Sequence, residues 1–354
     1  MSLTRTECTA LRGLAIIAIV LHNYCHFVGG IVQENEYLFH SAHNDQLWQV
    51  ITQPDAQLPL HLLSYFGHYG VPVFLFLSGF GLVAKYEAGD RQPVDPVPFL
   101  RYNYLKLLRM LVVGLTLFVI ADIVTPGRFH YAWYNVLAQL SMTINLLPTP
   151  DKIIWPGIYW FFGLMMELYL VYRLLLYRRS SAWVLVLVAA CWLAQAVSAP
   201  TGDTLNRLRY NFVGGMLPFG AGVLWARHAD VIAARLGTHS MRLYGWLALF
   251  AGCTALAFVM CFSFQTWLWI PLLVVVGSIA LVKSLPAKAL ALLTWTGGLS
   301  AAMFVAHPIA RKLTIVGVWR GDDAYDGLAL YVLVTLGLSW AVKQIIDQIP
   351  APKL

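Results

Sequence analysis

In the stretch LRGLAIIAIVLHNYCHF, residues 11–27, an apolar run opens beside an arginine and closes on two histidines. On a helix His22 and His26 fall about 40° apart on one face, and Arg12 returns to within about 40° of that face. Arg12 and His26 are then about 21 Å apart along the axis. An imidazole suits general-base chemistry because its unperturbed pKa, about 6.5, lies near neutral pH. A guanidinium suits phosphate. Both are costly in lipid unless paired or wetted, so a stripe carrying all three marks a candidate site. The plain alternative is a pair of interfacial histidines bonded to headgroups or loop.

Other chemistry-bearing residues also lie in apolar surroundings. WPGIYWFFGLMMELYLVYRLLLY sets Glu167 mid-run, with Trp160 seven residues earlier and near the same face. A carboxylate at that depth needs a partner or holds its proton. GGLSAAMFVAHPIARKL places His307 before Pro308, where a neutral imidazole also serves as an ordinary interhelical hydrogen bonder. FLRYNYLKLLRM groups Arg101, Lys106 and Arg109 around Tyr102 and Tyr104. That group reads either as positive-inside anchoring or as a cationic mouth for a phosphate-bearing ligand. In YGVPVFLFLSGFGLV, Pro72 can open the backbone ladder, and the SGFG that begins at Ser78 permits close backbone approach.

These residues need apolar elements to hold them. The chain has 354 residues, 59% of them hydrophobic and 12% charged, too apolar for an ordinary soluble domain. The expected fold is all-α: a polytopic integral membrane helical bundle, one domain over 1–354. About ten transmembrane helices are expected at roughly 11–28, 62–84, 105–124, 155–177, 182–199, 210–226, 244–263, 266–283, 298–316 and 328–346. The run 130–148 carries Asn135, Gln139 and Asn145 and reads as re-entrant or interfacial. No cleavable signal is expected after MSLTRTECTA. Five scattered cysteines form neither a disulfide framework nor a zinc spacing.

Charge sets the orientation. With both termini cytoplasmic, seventeen of the 24 Lys and Arg lie inside, among them Lys85, Arg91, Arg235, Arg242 and Lys283. Seven lie outside: Arg128, Lys152, Arg207, Arg209, Arg311, Lys312 and Arg320. The net charge of +7 is thus met by one membrane face, with no nucleic-acid partner required. The outside segment 29–60 has no Lys or Arg and reads as a cap over a site.

Taken in order, LRGLAIIAIVLHNYCH, VPVFLFLSGFGLV, RYNYLKLLRM, WFFGLMMELYLV, FVGGMLPFGAGVLW and LSAAMFVAHPI resemble the membrane-bound acyltransferase-3 family, which acylates cell-surface glycans and related acceptors. The resemblance departs in two places. The family usually separates the first-span Arg and His by ten residues; here nine separate Arg12 from His22 and thirteen separate it from His26, with Asn23 in the usual slot. Ala301 and Ala302 replace aromatic residues of the ninth-span motif.

The resemblance implies O-acylation in a bacterial inner membrane. The donor is cytoplasmic acyl-CoA, acetyl-CoA being expected, with no bound cofactor and no metal. The acceptor is a carbohydrate or glycolipid hydroxyl on the periplasmic side. His22 or His26 is the base or transient acyl carrier, Glu167 orients an imidazole, and His307 is a second imidazole. Arg12, Arg101, Lys106 and Arg109 meet the donor's phosphates, and Ser78 and Trp160 line the substrate path. A transporter is the competing class, since it too buries His, Glu and Arg along a pathway; a non-catalytic sensor of the same fold is a third.

Overall fold

The computed structural model describes residues 3–89, 92–232 and 243–353. Arg91, Arg235 and Arg242 lie outside the described residues. Among these residues ten long helices follow in order: α1 Arg5–Cys25, α2 Leu58–Tyr86, α3 Pro96–Val124, α4 Gly157–Leu176, α5 Ser181–Ala196, α6 Phe212–Arg227, α7 Leu243–Met260, α8 Ile270–Ser284, α9 Ala287–Trp319 and α10 Ala324–Gln348. Among the described residues there is no β-strand. Seven of the ten (α1 to α4, α7, α9 and α10) are long and apolar enough to cross a membrane, and α5 and α8 are shorter apolar helices. The protein is a multi-pass helical bundle.

The 130–148 run is not one helix. It forms a short helix, Trp133–Leu140, then a turn and a single 3-10 turn at Ile144–Leu146. Its polar residues find backbone partners: Asn135 donates to the Ile153 carbonyl, Gln139 to Tyr159 and Asn145 to Tyr210. Those bonds answer the amides that an apolar span would leave unpaired.

Helix α1 is central, packed against α2, α8, α9 and α10. It begins at a capping box, in which Thr4 and Glu7 satisfy each other's backbone N–H groups. It crosses α9 at Gly13 and Gly297, where a Cβ on either would run into the other helix's backbone.

Helix α2 tightens to a 3-10 turn at Gly67–Tyr69. Pro72 supplies the reason, since its ring crowds the carbonyl four residues back and it lacks an N–H. The turn sets His68 beside α1, with ring centroids of His22 and His68 5.7 Å apart.

One sequence expectation is corrected here. Arg311, expected among the outside charges, is instead buried within α9, which starts at Ala287 and runs to Trp319, beyond the expected 298–316 at both ends. At 33 residues α9 is about 50 Å long, more than a hydrocarbon core of about 30 Å requires. Hydropathy alone cut it short.

Candidate active site

The last turn of α1 presents its imidazoles in a defined sense. His22 Nδ1 lies 2.7 Å from the Ser64 carbonyl oxygen. A carbonyl only accepts, so Nδ1 carries the proton and Nε2 keeps its lone pair. His26 Nδ1 lies 2.7 Å from Glu34 Oε2, and the same argument leaves its Nε2 basic. His307 Nδ1 donates to Met303 one turn back, and among the described residues its buried Nε2 has no partner. The His22 and His26 rings are 5.5 Å apart, centroid to centroid.

Together with His68, the two α1 histidines line a cavity of about 410 Å³, which Glu34, Glu36, Trp160 and Arg311 also reach. The loop that supplies both glutamates is pinned at the residue between them. Asn35 is buried, donates to Asn44 Oδ1 at 3.0 Å, accepts from the His40 N–H, and its carbonyl takes the Trp267 indole N–H. The 29–60 segment therefore builds part of the cavity wall. Trp160 stands edge-on to Tyr37 and Tyr210, which stack at 3.9 Å.

The two glutamates differ in charge. Burial opposes ionisation of Glu34, but the His26 hydrogen bond, together with the charges that His22, His26 and His68 carry when protonated, outweighs it and holds the carboxyl down at about 2. Glu36 is pushed up to about 8 by burial and by the Glu34 charge, despite its Tyr37 hydrogen bond and the Arg209 guanidinium. An acid whose folded pKa is raised loses stability as pH climbs from about 4.5, its ordinary value, to about 8. Glu36→Gln should therefore raise the melting temperature at pH 8 while leaving it near the wild-type value at pH 4. A melting series over that range that shows no pH-dependent difference would mean that Glu36 titrates in the fold as it does in the unfolded chain.

A smaller space of about 40 Å³ continues inward from Glu36, His68 and Trp160 between Leu75, Leu164, Gly215 and Pro218. One turn further in, Ser78 Oγ and Met165 Sδ meet at 4.0 Å. Beyond them lies a basic and phenolic group at the opposite end of the bundle: Lys106 feels Tyr102, Lys85 and Arg12, while Tyr169 feels Tyr86, Arg12 and Tyr102. The expected mouth is thus split. Arg12 and Lys106 share one cluster, Arg109 reaches Asp347 of α10 at 3.9 Å, and Arg101 is exposed.

Glu167 does not line the cavity. Its carboxylate accepts the Phe212 N–H at 2.7 Å, at the first residue of α6. There it answers an orphan donor and the positive end of the helix dipole. The carboxylate that meets an imidazole of the cavity is Glu34 instead. His22, His26 and Glu34 also offer ligand atoms within 4.8 Å of one another, yet His26 and Glu34 are already occupied with each other.

Sequence reading missed Glu34, Glu36, His68 and Arg311. The signals were faint: two acids spaced around one asparagine in a loop free of Lys and Arg, and an imidazole four residues before a proline. A family model described as an acyltransferase domain, of the acyltransferase-3 type, matches residues 7–343. No curated protein and no solved structure matches the chain.

Proposed function

Since the chain belongs to the acyltransferase-3 family and is a membrane acyltransferase, we propose that it moves an acetyl group from cytoplasmic acetyl-CoA to a hydroxyl of a carbohydrate or glycolipid on the far side of a bacterial inner membrane. Both termini then face the cytoplasm, as the Lys and Arg distribution favours. The observation that carries this reading is the pair His22 and His26, each left with a basic Nε2 at the wall of one cavity.

In this scheme His26 Nε2 takes the acceptor's hydroxyl proton as the oxygen attacks the thioester carbonyl. The carbon–sulfur bond breaks, the leaving thiolate recovers the proton, and an ester and free coenzyme A result. Glu34 orients the ring and offsets the imidazolium charge that forms in between, the part a third group plays in a nucleophile–base arrangement. His22 shares the cavity as a second base, and His307 backs it from α9. Arg12 and Lys106 meet the donor's phosphates at the other end. The thioester arm extends from there past Ser78 to Trp160.

The test is reconstitution in liposomes with labelled acetyl-CoA on the Arg12 side and a carbohydrate acceptor on the other. Label must appear on the acceptor; coenzyme A release with no acylated product would sink the reading. Lys106→Ala should raise the donor KM about two- to fivefold at low salt, and less as ionic strength rises. Arg109→Ala should do less, since Arg109 already faces Asp347. An unchanged KM in Lys106→Ala would leave Lys106 as a positive-inside anchor.

A further inference from the structure

Arg311 is 5% exposed, and its Nη1 donates to Asn23 Oδ1 at 2.8 Å. Among the described residues its Nε and Nη2 make no hydrogen bond, and no carboxylate lies within salt-bridge reach. The neighbouring Lys312, by contrast, is paired with Asp122 at 3.0 Å. A buried guanidinium without a counter-ion is costly, and a ligand anion is the natural remedy.

Its position says which ligand. Arg311 stands in the wall shared by the histidine cavity and a second one of about 220 Å³. That recess is lined by Phe27, Phe129 and Trp155, with Phe129 and Trp155 stacked at 4.4 Å, and its rim at Pro126, Gly127 and Trp319 is exposed. Phe27 covers one side of the guanidinium, 3.7 Å from ring centroid to the central carbon. An aromatic face such as that of Trp155 suits the apolar face of a sugar ring, and a few placed polar groups then fix its orientation. The recess lies at the His26 end of the bundle, away from the Arg12 cluster.

Resting on the acyl-transfer reading, we propose that Arg311 binds a carboxylate of the acceptor, so that the carbohydrate acylated here is a hexuronate-type acidic sugar. The ring lies against Trp155, which Phe129 backs, the carboxylate bridges to Nε and Nη2 of Arg311, and a ring hydroxyl extends into the cavity of His22 and His26. Asn23 is a positioning residue that holds the guanidinium.

The probes are methyl β-glucuronide and methyl β-glucoside, which differ in that one carboxylate. Binding to the full-length protein in nanodiscs should favour the glucuronide about tenfold or more, as a charge-assisted bidentate contact does. In Arg311→Gln the ratio should fall toward one, and Arg311→Lys should recover part of it; melting curves identify any variant that fails to fold. Equal binding of both sugars by the wild type would overturn the proposal without any variant. So would a ratio unchanged in folded Arg311→Gln. A transfer assay with succinyl-CoA in place of acetyl-CoA separates the two sources of a carboxylate. An Arg311-dependent gain with succinyl-CoA and the glucoside would assign the anion to the donor and overturn the acceptor reading. Arg311-dependent glucuronide binding without transfer from either donor would instead support this inference and sink the acyl-transfer reading.

Discussion

Alanine at His26 should cut acyl transfer by about 10²–10⁴-fold, the usual cost of losing a general base, with expression near that of the wild type. His22→Ala should also impair transfer, though less. The difference comes from their partners: His26 has a carboxylate, Glu34, on its Nδ1 and is the more open of the pair, whereas His22 is buried against a backbone carbonyl. Because the rings share one cavity, the double variant should fall short of the product of the single losses. Initial rates with saturating donor decide it. Wild-type rates in the His22→Ala, His26→Ala double variant would reduce both residues to anchors at the end of α1.

The second large effect is expected at a residue with no chemistry of its own. A Cβ on Gly67 would stand 2.6 Å from the His22 Cβ and 2.8 Å from the Ala18 carbonyl. Gly67→Ala must therefore push α2 away from α1 just where His22, Ser64 and His68 meet. A displacement of about 1 Å at a reacting group can cost about a hundredfold in rate. We expect kcat to fall by that order while donor KM changes little, since the Arg12 and Lys106 cluster lies at the other end of the bundle. If kcat and the melting temperature both match the wild type, the α1–α2 contact is softer than drawn.

How far the sequence was readable follows from the range of each interaction. The phase of His22 and His26 on α1 is local, so periodicity alone puts them on one face. The helices themselves are legible for the same reason: apolar runs mark the long helices, seven of which are long and apolar enough to span, with ends misplaced by up to a few turns, as at α9. Partners distant in the chain are not legible. Glu167 stood out because a carboxylate in apolar surroundings demands company, but nothing in hydropathy identifies that company as the Phe212 N–H, 45 residues later. Glu34 joins His26 only because the loop doubles back, and His68 joins His22 only because α2 packs on α1. Arg311 was taken for an outside charge because a lone cation near the end of an apolar run looks the same whether it faces water or a cavity.

The meeting of Ser78 with Met165, below Leu75 and Leu164, has a consequence for the membrane rather than for the reaction. A bundle with a polar chamber at one end and a cationic cluster at the other is halfway to being a conduit for ions. Between the two ends, α2 and α4 close on each other through a thioether and a short hydroxyl, with aliphatic side chains above. A constriction of that kind is hard to wet and offers no charge for a proton or cation to follow. Polarity at the two ends of the bundle is thus separated by an apolar septum between α2 and α4, which gives ions no charged path from one end to the other.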